Sequence, residues 1–304
     1  MEKKAEWLWS WFDGLRLSLL WTKPEGEVKG VLQISHGMCE NKERYLPFME
    51  YLAEKGFAAV IHDHRGHGKS VKEKEDLGYT YGGRDKGIVE DLHQVTCWIK
   101  EHFPGTPVYM LGHSMGSLAA RTYLKEYDGE LKKLILTGPP SANPGVDMGL
   151  ALAGIQKKFR GGRYRSKELQ VLAFGPYAAK FPGEGTSSAW ICSDKEVVKD
   201  YDDSEYCGFI FTADGFQSLF LLLKETYSRK GWKMRNPDLP VLFLGGEKDP
   251  CIGGGRRFVK QLQFLQTVGY RKVTGKMYPD MRHEILNETG KETVYKNIVS
   301  YLNK

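Results

Sequence analysis

The sequence predicts an α/β fold with a mostly parallel central sheet, helices on both faces and a mainly helical insertion. First, short apolar runs alternate with stretches of helical length along much of the 304 residues. Second, this alternation stops at Pro139-Pro140 and resumes at Pro240. Third, 41% of the residues are hydrophobic and 27% are charged, which is typical of a soluble globular chain long enough to bury a large core.

The first predicted strands form a hairpin. From Trp7 to Trp21 apolar residues tend to alternate, and they break at Asp13-Gly14, a strong signal for a tight β-turn. Further strands are predicted at 30–37, 57–64, 108–114, 131–138, 240–249 and 271–279. Helices are predicted near 44–55, 86–103, 114–127, 256–268 and 284–303. Strands that alternate with helices of this length imply right-handed crossovers and a parallel sheet.

The interruption divides the chain into two predicted units. Residues 1–140 and 236–304 form the core, and 141–235 form a cap, or lid, that is largely helical and punctuated by glycine. Open α/β sheets bind ligands at the carboxyl ends of their strands, and we expect the cap to cover that edge.

The segment "GHSMG" (112–116) has the G-x-S-x-G spacing of a strand-to-helix turn that exposes a nucleophilic serine. An apolar run precedes it and a stretch rich in helix formers follows, as the motif requires. A Cβ at either glycine would crowd the crossing of strand and helix, and the serine adopts a strained backbone angle. Glycine-flanked serines also occur in ordinary loops, so the motif alone is weak and Ser114 needs partners elsewhere in the chain.

A catalytic serine needs a base, and that base needs a carboxylate to fix its tautomer. His283 is the only histidine in a late strand-to-helix loop, and Asp249 follows the seventh predicted strand. The chain order Ser114, Asp249, His283 is typical of such a triad. Asp280 and Glu284 are alternative acids, nearer in sequence to the histidine but too close to reach around its ring.

Two backbone amides are predicted to stabilise the oxyanion. One belongs to Met115, the residue after the serine, and the other to Met38, in the loop after the first core strand. Loss of one such donor typically lowers the rate by about 10²- to 10³-fold.

With these residues in place, the chain resembles the monoacylglycerol lipase and lysophospholipase branch of the α/β-hydrolases, a group also described as serine aminopeptidase-like or S33-type hydrolases. The matching segments, in the family's order, are "SHGMCENKERY", "DHRGHGKS", "GHSMG", "GGEKDP" and "MRHEILNE". Asn41 stands where relatives often carry His, and Ser117 replaces a third glycine after the turn, which affects substrate detail more than catalysis.

The resemblance implies an α/β-hydrolase fold and a serine ester hydrolase with Ser114, Asp249 and His283 as its catalytic triad. The Met38 and Met115 amides then form the oxyanion hole. The implied substrate is a small-molecule acyl ester, most naturally a monoacylglycerol or a lysophospholipid, and no cofactor or metal is required.

Three alternatives remain open at this point. A short-chain carboxylesterase or an S33-type aminopeptidase has the same fold, and the acidic segment 192–207 is either an anchor for a free amine or a solvated face. A binding module without catalysis is disfavoured because all three triad residues are present. A metallohydrolase is disfavoured because His62 to His67 only approaches H-x-H-x-D-H, with Gly66 in the Asp position.

The remaining histidines fall into two classes. Two lie in a predicted helix, where we expect them to be solvated, namely His93 and His102. The others lie at or just past the ends of early predicted strands: His36, His62, His64, His67 and His113.

The cap contains three notable segments. Residues 157–167 are basic with interleaved aromatics, and either form a solvated face or attract anionic head groups in a transient contact with a lipid surface. Residues 209–223 are rich enough in aromatic and branched side chains to line an acyl pocket, and 148–155 are suited to its mobile rim. Packing of these segments against the core is equally consistent with the pattern.

Charge and cysteine content bound the partners and the compartment. A net charge of +6 is a mild bias that indicates no nucleic-acid partner. The five cysteines contain no C-x-x-C pair, which favours reduced thiols in the cytoplasm and no structural zinc. The most apolar stretch, 207–224, is interrupted by Asp214 and Gln217 and is too polar for a membrane span.

Overall fold

The computed structural model describes residues 1–304 and contains one eight-stranded sheet with the order β1-β2-β4-β3-β5-β6-β7-β8. The strands from β3 to β8 pair in parallel, and β2 pairs antiparallel with β1 and β4. The predicted mostly parallel sheet is therefore confirmed. The strands are β1 Glu2–Trp9, β2 Arg16–Lys23, β3 Val31–Ser35, β4 Ala58–His62, β5 Val108–His113, β6 Lys133–Thr137, β7 Val241–Gly246 and β8 Val273–Tyr278.

Helices cover both faces of the sheet, as predicted. One buried cluster joins α2, α3 and α8 to the sheet, and a second joins α1 and α9 to its other face. The helices are α1 Leu46–Glu54, α2 Arg84–His102, α3 Met115–Tyr127, α4 Val146–Arg160, α5 Lys167–Ala178, α6 Lys195–Asp203, α7 Ala213–Thr226, α8 Gly255–Val268 and α9 Lys291–Asn303.

The hairpin between β1 and β2 differs from the prediction in its turn. The ladder closes at Trp9 and Arg16, so the connection is longer than two residues. Tertiary contacts account for the extra length: Ser10 donates to Asp91 at 2.5 Å, and Arg65 donates to Asp13 at 2.8 Å. The turn closes through the Ser10 N–H, which donates to the Leu15 carbonyl at 2.7 Å, and it is also tied to α2 through Asp91.

The last helix begins later than its sequence pattern predicts. Residues 283–290 form a loop, and α9 starts only after Gly290, whose φ of 87° favours glycine. Glu288 keeps this loop in place because its carboxylate accepts from the backbone N–H groups of Arg282 and Ser193 at 2.7 and 3.0 Å. These bonds hold the segment in a non-helical conformation, and the one to Ser193 is a tertiary contact that no local pattern predicts.

Four helices, α4 to α7, lie between β6 and β7, within the predicted cap. α7 packs against the core, because Phe216 and Leu222 are fully buried in the same cluster as the sheet, and α4 and α5 each add one fully buried residue to it, Ala153 and Leu169. None of the helices combines the length and apolarity that a membrane span needs.

Candidate active site

Ser114 occupies the turn from β5 into α3, with φ of 51° and ψ of −117°. This is a strained conformation for a residue with a side chain. The two flanking glycines permit it: a Cβ on Gly112 would lie 2.5 Å from the Gly116 carbonyl oxygen, and one on Gly116 would lie 2.0 Å from that of Ser35. Ser114 is only half-buried, whereas both of its neighbours in sequence are buried. The turn thus presents its hydroxyl at the carboxyl edge of the sheet.

His283 and Asp249 come together from the loops after β8 and β7. The ring Nδ1 lies 2.9 Å from Asp249 Oδ2, and because an ionised carboxylate only accepts, Nδ1–H is the donor. The other oxygen of Asp249 accepts from the backbone N–H of Cys251 at 2.8 Å. This leaves Nε2 of His283 as the nitrogen able to accept a proton.

The surroundings of His283 set its proton affinity. Burial lowers the pKa of His283, but the charge and hydrogen bond of Asp249 outweigh burial, and the net pKa is raised from its ordinary value of 6.5. His113 packs beside it with ring centroids 4.8 Å apart, and burial lowers the pKa of His113 to about 3. His113 is therefore neutral, and only His283 is set to change its charge near neutral pH.

The two alternative acids face elsewhere. Asp280 is exposed and pairs with Lys248 at 2.8 Å. Glu284 is buried and receives two hydrogen bonds from Arg44, at 2.7 and 2.6 Å. Burial raises the pKa of Glu284, but Arg44 outweighs burial and holds it at about 2. Only Asp249 accepts a hydrogen bond from the imidazole.

Arg44 also joins the loop of His283 to the loop after β3. Its guanidinium donates to Glu40 at 2.8 Å, and Glu40 accepts in turn from the backbone N–H of Gly37. Burial raises the pKa of Glu40, with the charge of Glu284 acting in the same direction. No sequence pattern indicates a role for this network, although Glu40 and Arg44 belong to the segment "SHGMCENKERY". Their pairing with Glu284, far away in sequence, left no local signal.

The Met38 and Met115 amides lie at the same place. Both residues line a cavity that also contains Ser114 and His283. Neither N–H donates to a backbone carbonyl in the turns, loops and helix caps of the protein. Both amides are therefore free to donate to a ligand.

This cavity has a volume of about 520 Å³, and 20 of its 35 lining residues are hydrophobic. Small-molecule pockets are typically of this size and polarity. The predicted cap segment, 141–235, supplies much of the apolar lining, including Phe174, Phe209, Leu219, Phe220 and Leu223. The predicted acyl-pocket segment 209–223 is thus divided, since some side chains line the cavity and others, such as Phe216, are buried in the core.

Trp190 of the predicted cap packs against His283 with a centroid distance of 4.8 Å and the two rings tilted by 43°. It also packs against Phe174 and Tyr177, so an aromatic wall extends from the imidazole into the cap. No sequence motif or periodic pattern marks Trp190, because it lies in an irregular segment.

Part of the basic segment 157–167 is neutralised by ion pairs. Lys157 pairs with buried Asp214 at 2.5 Å, and Arg163 pairs with Asp76 at 2.6 Å. Arg165 donates to two backbone carbonyls. In the same region Phe159 is 76% exposed, so the surface is more apolar than its composition suggests.

A buried cluster of four histidines lies beside the ends of β3 and β4, with neighbouring ring centroids 4.4 to 6.3 Å apart. Its members are His36, His62, His64 and His67. Burial lowers the pKa of each ring, so all are neutral. The groups of three ligand atoms that do converge in this molecule involve other residues. The near-match to a metallohydrolase motif therefore has no corresponding metal geometry.

Comparison with known proteins gives one family match. The family model described as serine aminopeptidase, S33 (Hydrolase_4) matches residues 26–290. The monoacylglycerol lipase of Mycolicibacterium smegmatis is 26% identical over 287 residues, covering 93% of this chain and 91% of that protein. The human monoglyceride lipase is 32% identical over 133 residues, covering 43% of this chain and 42% of that protein.

Among solved structures, a thermostable carboxyl esterase from Bacillus coagulans in complex with glycerol superposes with a TM-score of 0.92. The two chains are 24% identical, and the match covers 100% of this chain and 98% of that one. At this identity the likeness concerns the fold, and it agrees with the predicted α/β-hydrolase architecture.

Proposed function

The chain belongs to the serine aminopeptidase S33 family and is a serine ester hydrolase, and we propose that Ser114, His283 and Asp249 are its catalytic triad. One observation carries the proposal: a single cavity contains a half-exposed serine on a strained turn and an imidazole held by a buried carboxylate. The free amides of Met38 and Met115 line the same cavity, which supports their role as the oxyanion hole.

In the proposed mechanism, Nε2 of His283 takes the proton of Ser114 as the serine oxygen attacks the ester carbonyl. Asp249 holds the ring and stabilises the imidazolium that forms. The tetrahedral oxyanion accepts hydrogen bonds from the Met38 and Met115 amides. His283 then protonates the leaving alcohol, and water hydrolyses the acyl-enzyme by the same steps. No hydrogen bond joins Ser114 to His283 here, and such bonds often form only with substrate bound.

The proposed substrates are monoacylglycerols or lysophospholipid-type esters. The apolar walls of the cavity, formed by residues such as Phe209 and Phe220, support an acyl chain as the buried part of the substrate. The mycolicibacterial relative, which matches nearly the whole chain, is named a monoacylglycerol lipase. The apolar lining favours a substrate with an apolar acyl chain, and the name of the relative favours a monoacylglycerol.

The test is a hydrolysis series with matched monoacylglycerols and lysophosphatidylcholines of increasing acyl length. We expect rates that rise with chain length and vanish in Ser114→Ala. Head-group preference then distinguishes a monoacylglycerol lipase from a lysophospholipase. Activity confined to the shortest chains would contradict the lipid proposal and indicate a short-chain carboxylesterase.

An aminopeptidase is less well supported. The exposed acids of α6, among them Asp200, Asp202 and Asp203, are absent from the cavity lining. The two acids that do line it, Glu40 and Glu284, are already paired with Arg44. A free substrate amine therefore meets no unpaired carboxylate. Hydrolysis of aminoacyl anilides at rates comparable to esters would reverse this preference.

We also propose that 141–235 acts as a cap that touches lipid surfaces transiently. This segment exposes five large apolar side chains, namely Met148, Ile155, Phe159, Val171 and Leu172. Because several basic residues nearby are paired, we expect apolar insertion to contribute more than charge. Phe159→Ser should weaken binding to neutral vesicles, and equal binding of both proteins would contradict the contact.

The compartment is proposed from cysteine chemistry. All five cysteines are free thiols, which supports a reducing environment such as the cytoplasm. Cell fractionation of the tagged protein tests this directly.

A further inference from the structure

A second group of potential ligands lies far in sequence from the triad. His93 and Cys97 are one helical turn apart on α2, so they share a face, and Glu130 reaches them from the short 3₁₀ turn that follows α3. His93 Nε2 lies 3.2 Å from Glu130 Oε1 and 3.6 Å from Cys97 Sγ. All three ligand atoms lie within 4.8 Å of one another.

The hydrogen bonds available to these groups do not satisfy them together. Glu130 and Cys97 both approach the same nitrogen of His93. If Nε2 carries a proton, it can donate to the carboxylate but cannot accept from the thiol. If it carries a lone pair, it can accept from the thiol but faces the carboxylate without a proton. A cation among the three atoms removes this conflict because each of them then donates a lone pair to it.

The observed distances fit tetrahedral zinc. With Zn–N and Zn–O bonds of about 2.0–2.1 Å and a Zn–S bond of about 2.3 Å, tetrahedral angles give an N···O edge of about 3.3 Å and an N···S edge of about 3.6 Å. The observed 3.2 and 3.6 Å agree with both edges without rearrangement of the histidine.

Neighbouring side chains hold the ligands in this arrangement. The His93 ring stacks on Tyr127 at 3.7 Å with an interplanar angle of 5°. The second oxygen of Glu130 accepts from the Tyr123 hydroxyl at 3.1 Å and lies 3.4 Å from Lys100. Oε1 is left to face the histidine. Outer contacts of this kind orient ligands in protein metal sites.

We propose that His93 Nε2, Cys97 Sγ and Glu130 Oε1 form a binding site for a thiophilic divalent cation, with Zn²⁺ as the best fit. The Cys97 thiol gives its proton to solvent on binding, and water occupies the fourth position. The side chains of His93 and Glu130 are 18% and 25% exposed, so an ion can enter from solvent.

The place of the site in the fold indicates its effect. Glu130 lies just before β6, at the amino end of the strand, whereas Ser114 follows the carboxyl end of β5. A bound ion therefore links α2 to the α3–β6 connection, away from the cavity. We expect it to stabilise the fold without changing catalysis. This revises two sequence expectations, that His93 is solvated and that the chain holds no structural zinc.

The experiment uses the full chain, stripped with a chelator and kept reduced. Zn²⁺ is added and binding is measured by calorimetry, and Co²⁺ serves as a spectroscopic probe because a thiolate ligand gives an intense charge-transfer band. We expect one ion per chain, a cobalt–thiolate band, and a rise in Tm of about 5 °C at a hundredfold excess over Kd. Cys97→Ser should abolish the cobalt–thiolate band and weaken Zn²⁺ binding at least tenfold.

A matched control excludes the other convergent group, Asp249, Cys251 and His283. Cys251→Ser should keep the band and the zinc affinity. His93→Gln tests the site without removing a thiol and should lose both. Absence of a thiolate band in the unmodified protein, or equal zinc affinity in Cys97→Ser, would overturn the proposal. A band lost in Cys251→Ser instead would also overturn it.

Discussion

The molecule holds two groups that each combine one histidine, one cysteine and one carboxylate. In the first, Asp249, Cys251 and His283 are all buried, and in the second, at His93, Cys97 and Glu130, all three residues are half-buried. Their compositions are nearly the same. They differ in which histidine nitrogen faces the carboxylate and in what the cysteine contributes.

In the buried group, one oxygen of Asp249 accepts a hydrogen bond from Nδ1–H of His283, and the other accepts one from the backbone N–H of Cys251. Both oxygens are occupied, burial raises the pKa of the Cys251 thiol well above its ordinary value, and Nε2 of His283 is left for proton transfer. This arrangement suits a general base.

In the half-buried group, the carboxylate and the thiol meet at a single nitrogen, Nε2 of His93. No ring nitrogen is left facing a substrate cavity, and the donor atoms converge as metal ligands do. The hydrogen-bond pattern, more than residue type, therefore distinguishes the proposed catalytic histidine from the proposed metal ligand.

The largest expected effect comes from Ser114→Ala. Without the hydroxyl no acyl-enzyme forms, and kcat should fall by about 10⁶-fold, as when the nucleophile of other serine hydrolases is removed. Steady-state hydrolysis of a monoacylglycerol measures this, with circular dichroism to verify the fold. Ser300→Ala, at an exposed serine of α9, is the matched control and should keep full activity. An active Ser114→Ala would refute the triad.

Next in size is Asp249→Asn, which keeps the shape of the side chain and removes its charge. We expect kcat to fall by about 10⁴-fold, because the imidazole loses the group that fixes its tautomer and stabilises its cation. The same change at exposed Asp280 should leave kcat within about twofold of the original, as for other surface sites far from strong interactions. A larger loss at Asp280 than at Asp249 would reverse the assignment of the acid.

The pH dependence is a smaller effect with a definite sign. Catalysis needs neutral His283, so kcat/KM should fall about tenfold per pH unit once the pH drops below the pKa of His283. Because Asp249 holds that pKa above 6.5, the acidic limb should lie at higher pH than for an exposed histidine. In Asp249→Asn the pKa loses this support, and the limb should move to lower pH. A limb that stays in place would show that another group titrates.

The smallest expected effect is that of zinc on catalysis. At a concentration that fills the site at Cys97, the esterase rate should change by less than about twofold. Asp249 already accepts from His283 and from the backbone N–H of Cys251, and a cation bound there would have to displace His283 from its hydrogen bond. Rates measured with and without Zn²⁺ at matched ionic strength test this. Strong inhibition that Cys251→Ser relieves would show that the two groups are not separated as we describe.

Much of the fold could be predicted from local pattern. Alternating apolar runs and helical stretches determined the strands, the helices and the parallel sheet, because burial of one face imposes a period that the sequence displays. Boundaries were wrong where tertiary contacts override propensity. α9 begins at Lys291, since Glu288 bonds to backbone far from its own segment, and the hairpin turn is lengthened by Arg65 and Asp91.

For the site, the sequence by itself determined the elbow at Ser114, because the G-x-S-x-G spacing encodes a tight turn from strand to helix. The contact that requires Gly116, with the carbonyl of Ser35, is tertiary. It also indicated Asp249 and His283, through chain order. Only the tertiary structure decided that the imidazole turns toward Asp249 and that Trp190 packs on it. The same holds for the approach of Glu130 to α2, because contacts between segments distant in the chain follow from packing and leave no period or spacing in the sequence.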